Sequence, residues 1–109
     1  VTRNLDGVAA QDGARVPAEH IPAAVTAGTL IYSDGARQTF DPDGTTRYFE
    51  AGRQTEGTWS VDESGHFCSF WPPSYRASYD LQWVVEEGHV AGLRFSDLKS
   101  GARFDGRYQ

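Results

Sequence analysis

The chain has 109 residues, enough for one domain with a real core but not for two. Apolar residues make up 39% and charged residues 23%, which excludes the low-hydrophobicity, high-charge composition of disordered chains. Fifteen acids against ten bases give a net charge of -5 with no run of either sign. Such a chain repels phosphate backbones, so nucleic acid is not expected as a partner, and no stretch is apolar for long enough to insert into a bilayer.

Aromatic residues account for 13% of the chain, and bulky rings favour half-buried pleated surfaces. Cys68 is the only cysteine, so no internal disulfide can form and the compartment stays open between periplasm and cytoplasm. The start, Val1-Thr2-Arg3-Asn4, does not read as a signal peptide. The missing initial Met suggests a processed or trimmed chain, which leaves export open.

Residues 1–15 contain Asp6-Gly7 and Asp12-Gly13 and read as a flexible arm with turns, ahead of a single domain over 16–109. A short helix is expected near 17–27. Pro17 suits its first turn, and Gly28 suits the left-handed position just past its end. Ile21, Ala24 and Val25 share one face, and Pro22 is placed to bend or split the helix. From Thr29 onward, short runs are broken by turn residues. The expected strands are 29–33, 36–40, 45–50, 54–61, 66–71, 77–85, 89–95 and 102–108. The breaks between them hold Asp34-Gly35, Asp41-Pro42-Asp43-Gly44, Ala51-Gly52, Asp62-Glu63-Ser64-Gly65, Pro72-Pro73-Ser74 and Glu86-Glu87-Gly88.

Consecutive strands joined by short turns pair antiparallel. Several runs alternate with period two. Leu81, Trp83 and Val85 share one side, as do Trp59 and Val61. Phe104 and Tyr108 lie opposite Arg103, Asp105 and Arg107. The expected fold is all-β: a small antiparallel meander barrel of about eight strands, with a short N-terminal helix. Closure removes exposed edges, and eight strands leave room for packed side chains or one small ligand.

Three pieces of the chain carry a resemblance. They are the helix ending in Ala27-Gly28-Thr29-Leu30, the run Phe40-Asp41-Pro42-Asp43-Gly44 with Glu56-Gly57-Thr58-Trp59-Ser60-Val61, and Cys68-Ser69-Phe70-Trp71-Pro72-Pro73-Ser74. Through them, Glu19 to Arg107 resembles small bacterial domains of the DUF995 type and, beyond these, calycin-like (lipocalin- and avidin-like) barrels. The resemblance implies the barrel and, loosely, the bacterial envelope; it implies no reaction. Members often have a second cysteine soon after the first. Tyr75-Arg76-Ala77-Ser78-Tyr79 has none, so the disulfide of such relatives is missing here. Gly57-Thr58-Trp59 matches the calycin Gly-x-Trp, which implies an arginine packed across the ring, with Arg103 and Arg107 as candidates.

Each conspicuous residue has a plain reading beside the functional one. Trp59 is first a core aromatic and second a pocket wall. His66 and Cys68 alternate onto one strand face, but two ligands do not make a zinc site. A lone cysteine is usually a buried small hydrophobe, and no metal and no cofactor are expected. Counting from Asp41, an EF-hand would need Gly and Glu where Thr46 and Gly52 stand. Glu86-Glu87 is a hairpin tip. The segment from Trp71 to Arg76 is stiffened by two prolines. It either plugs a barrel end or forms a mouth, where Trp71, Tyr75 and Arg76 would suit a planar or anionic molecule.

The first functional expectation is a barrel that binds a small, partly apolar or aromatic ligand without chemistry. Trp71, Tyr75 and Arg76 would stand at the mouth, with Arg47, Tyr79 and Arg94 pointing inward. The second is an enzyme, an isomerase or lyase on a hydrophobic substrate, with Asp80, His66 and Tyr79 as acid–base candidates. The third is a structural or interaction module of the envelope. Catalytic residues and oligomeric state are not readable.

Overall fold

A computed structural model describes residues 11–109. Eight strands close into one antiparallel barrel in strict chain order, β1 pairing with both β2 and β8. They are β1 Leu30–Tyr32, β2 Arg37–Phe40, β3 Thr45–Glu50, β4 Arg53–Val61, β5 Phe67–Trp71, β6 Tyr75–Glu86, β7 His89–Asp97 and β8 Arg103–Tyr108. The expected meander barrel is therefore the fold. The turns are chemically apt: Ala51-Gly52 and Glu87-Gly88 both have two consecutive positive φ angles, which match the twist of a tight hairpin.

β6 begins earlier than its sequence suggested. Trp71 pairs directly with Tyr75, and Phe70 with Arg76, so only Pro72-Pro73-Ser74 is turn. Tyr75 and Arg76 are strand residues, because the ladder continues up to the prolines that cannot extend it.

Before the barrel, Ala18–His20 forms a 3₁₀ turn that runs into a short helix, α1, Ile21–Thr26. Pro22 sits in the first turn of α1, where its missing N–H is not needed, so the helical stretch divides there into two pieces. Gly28 is not left-handed. Its α-carbon instead lies against the Tyr108 ring, 3.5 Å from where a β-carbon would stand.

The expected arm falls partly on residues 1–10, outside the described residues. The part that is described lies along β6. Gly13 N–H donates to Trp83 O at 2.8 Å, Trp83 N–H to Ala14 O at 2.9 Å, and Val16 N–H to Leu81 O at 2.7 Å. β5 pairs with β6 only as far as Tyr79, so the rest of that edge needs a partner. Residues 13–16 supply one.

Strand directions sort the loops by end. The β2–β3, β4–β5 and β6–β7 turns share one end with α1. The β1–β2, β3–β4, β5–β6 and β7–β8 turns share the other. The α1 end is filled. Val16, Ile21, Ala24 and Val25 from the N-terminal segment pack on Leu30, Leu81, Trp83 and Leu93 from the strands, all at most 2% exposed. Tyr108 ties the plug down by donating its hydroxyl to Ala24 O. Each of these large apolar side chains contributes about 1.5–3 kcal/mol by leaving water.

Candidate functional site

Inward positions on the helix-free half are smaller and more polar than those below. Period two points Gln38, Tyr48, Thr55, Ser69 and Gly106 into the barrel, in register with the core residues on the same strands. These side chains do not fill the interior. A cavity of about 410 Å³ remains, open at the end opposite α1. That is the size range of small-molecule sites.

Phe67 and Phe95, both buried, form the floor; their rings meet edge-to-face at 5.3 Å. The wall is a continuous arc of rings. Trp71 meets Tyr48 at 6.3 Å, Tyr48 meets Tyr32 at 6.2 Å, Tyr32 meets Phe95 at 6.3 Å, and Phe95 meets Tyr79 at 5.8 Å. Two glycines seat this arc. A β-carbon on Gly57 would fall 2.6 Å from the Trp71 ring, and one on Gly106 would fall 3.0 Å from the Tyr32 ring. Glycine is used here for close approach, an aromatic lying over the bare backbone of the neighbouring strand.

Polar groups in the wall are joined in a chain. The Tyr32 hydroxyl donates to Gln38 Oε1 at 2.6 Å, Gln38 Nε2 to Thr46 Oγ1 at 2.8 Å, and the Thr46 hydroxyl to Thr39 O at 2.8 Å. At the rim the Tyr48 hydroxyl donates to Glu50 Oε2 at 3.3 Å. All three phenols are held neutral. Burial, then Tyr48, Tyr79 and Asp34, push Tyr32 far above the ordinary phenol value. Burial, then Asp34 and Glu50, push Tyr48 up to about 12. Burial, then Tyr75 and Asp97, push Tyr79 up to about 12.

The expected site residues divide. Trp71 and Tyr79 line the cavity. Tyr75 has the inward register but stands at the outer edge, 59% exposed. Arg76 points outward and lies over the Phe70 ring, 4.5 Å from its centroid. Arg47 and Arg94 are not inward groups. Their neighbours Thr46 and Tyr48, or Leu93 and Phe95, take the interior, so period two sends both arginines to the outer face. Arg47 pairs there with Asp41 at 2.7 Å and Glu56 at 3.3 Å, and Arg94 grips both carboxylate oxygens of Asp105 at 2.7 and 3.0 Å.

The acid–base candidates divide in the same way. His66 and Asp80 lie 3.5 Å apart outside the cavity, and Asp62 lies 3.3 Å from the other ring nitrogen of His66. Only Tyr79 faces the cavity. Cys68 Sγ sits beside Ser78 Oγ at 3.3 Å on the same outer face. Among the described residues, no three His, Cys, Asp or Glu are grouped to hold a metal ion. Trp59 is partly buried against the core: it stacks on Phe67 at 6.1 Å and donates its indole N–H to Asp41 O at 3.0 Å. The arginine implied for its ring is placed elsewhere. Arg107 pairs with Glu86 at 2.8 Å, and Arg103 is exposed at the opposite end of the barrel. Gly57 serves Trp71 instead.

Sequence reading missed Tyr32, Tyr48, Gln38 and Asp34. The signal for Tyr48 was present: on Thr45-Thr46-Arg47-Tyr48 either Arg47 or Tyr48 faces inward, never both. A second depression, lined by Arg37, Phe49 and Arg53, lies on the outer wall, since their neighbours Gln38 and Tyr48 face inward. Among the described residues no helix is long and apolar enough to cross a membrane. The chain matches no family model, no curated protein and no solved structure.

Proposed function

We propose that the barrel binds a small, partly apolar or aromatic ligand in its open half and performs no chemistry on it. One observation carries this reading: the core is packed at the α1 end and hollow at the other, where aromatic rings face empty space. A barrel of this size can be filled by side chains, so unfilled volume lined by rings marks a place for a guest. Tyr75, Leu98 and Phe104, exposed at the same end, extend the apolar surface outward from the mouth. The calycin-like, DUF995-type affiliation stays part of the proposal, since an eight-stranded barrel leaves room for one small ligand.

The isomerase or lyase reading is weaker. Two of its three acid–base candidates, His66 and Asp80, lie outside the cavity, and the third, Tyr79, is a neutral phenol that is no base near pH 7.

The test is calorimetric titration with para-tert-butylphenol, a compact apolar ring. The native protein should bind it saturably. Ser69→Leu, which fills the wall from an inward position, should keep the melting temperature and lose the binding. No binding by the native protein, or equal binding by Ser69→Leu, would overturn the proposal.

A further inference from the structure

Two of the three phenols in the cavity wall give their protons to the protein itself. Tyrosine usually offers a ligand both a donor and an acceptor. Here Tyr32 gives its proton to Gln38 Oε1 and Tyr48 gives its proton to Glu50 Oε2. What these two residues leave to a guest is ring faces and oxygen lone pairs. Trp71 and Phe95 add further π surface on either side of them. Ring faces are negative, and they attract a cation whose hydration is weak.

The charges at the mouth agree. Asp34 lies in the β1–β2 turn and lines the cavity; its Oδ1 accepts the Ala36 N–H at 3.0 Å, which fixes it in place. Its field reaches the rings, since it is among the causes that raise both Tyr32 and Tyr48. Arg103 and Asp105 also border the opening, but Phe104 between them takes the inward register, so both belong to the outer side of β8. Asp105 is already held by Arg94. A guest in the mouth therefore meets Asp34, with Glu50 behind the Tyr48 hydroxyl and Arg103 on the outer side of the rim, within a protein of net charge -5.

We propose that the ligand is an organic cation of the methylated-ammonium class, its charged head among Tyr32, Tyr48 and Trp71 near Asp34 and its apolar body on the Phe67–Phe95 floor. This rests on the cavity being the binding site. It adds the sign of the ligand's charge, which the size and apolar lining of the cavity do not dictate.

The experiment is calorimetric titration near pH 7 with three probes of one shape. They are para-hydroxyphenyl-trimethylammonium, its neutral isostere para-tert-butylphenol, and the anion para-tert-butylbenzoate. The cation is expected to bind about tenfold more tightly than the neutral isostere, as an ammonium over several ring faces requires, and the anion most weakly. Asp34→Asn keeps the turn hydrogen bond and removes the charge. It should weaken the cation by about threefold and leave the neutral probe unchanged, with an unaltered melting temperature. Equal or tighter binding of the neutral isostere would overturn the cation proposal while leaving the binding cavity in place. Tightest binding of the anion would overturn it in favour of Arg103. Failure of all three probes would overturn the cavity reading as well.

Discussion

Replacing Gly57 by Ala should damage both the fold and the site, through one added methyl group. The new β-carbon would stand 2.5 Å from the Phe70 carbonyl oxygen and 2.6 and 2.9 Å from two atoms of the Trp71 ring. Carbon contacts are comfortable at about 3.5–4.0 Å, so the ring must move by roughly 1 Å and the β4–β5 ladder must give with it. Overpacking of this kind costs about 1–3 kcal/mol. The loss of glycine's unfolded-state freedom returns about 0.5–1 kcal/mol, leaving a net cost on the order of 1–2 kcal/mol. In a domain of this size that lowers the melting temperature by about 5–10 °C. Gly28→Ala is the internal control. Its β-carbon would sit in ordinary contact with Tyr108, 3.5 Å away, and its φ is not positive, so the melting temperature should hold or rise. Thermal melts followed by circular dichroism compare the two. Displacement of Trp71 from the wall should also weaken para-tert-butylphenol in Gly57→Ala alone. An unchanged melting temperature in Gly57→Ala would refute the claim that the wall is seated on bare backbone.

Two further predictions concern pH. Tyr48 and Tyr79 are neutral in the fold up to about 12, whereas free phenols ionise near 10. Above about pH 10 the unfolded chain therefore holds fewer protons, and stability should fall as pH rises through the folded values. Absorbance of phenolate near 295 nm, recorded against pH together with urea melts, should show some tyrosines ionising only as the protein unfolds; complete ionisation near pH 10 with the fold intact would refute it. At the acid end, the Arg94 guanidinium holds the Asp105 carboxyl below the usual range. Its contribution is present above about pH 3.9 and is lost as pH falls through the lower folded value. Asp105→Asn should cost about 1 kcal/mol at pH 7, a figure kept small because both groups are partly exposed, and much less near pH 2. A cost that is the same at both pH values would assign the effect to packing instead of charge.

What the sequence determined by itself was local. Asp34-Gly35, Ala51-Gly52 and Glu87-Gly88 accept positive φ cheaply, and the runs between the turns alternate. Strand number, pairing order and most strand limits follow from those preferences, since a turn's dihedral cost is settled within a few residues. The same alternation could have excluded Arg94, flanked by Leu93 and Phe95. On β3 it could not choose between Arg47 and Tyr48, because Thr45-Thr46-Arg47-Tyr48-Phe49-Glu50 offers a ring to each face. That choice is made by register with Gln38 on β2 and Thr55 on β4, contacts that only the closed sheet supplies. Tertiary structure likewise decided that residues 13–16 complete the edge of β6 and that α1 plugs one end only. The hollow is the least local feature. It is the volume left when inward side chains from many strands are summed against one short helix, and no window of sequence contains both sides of that sum.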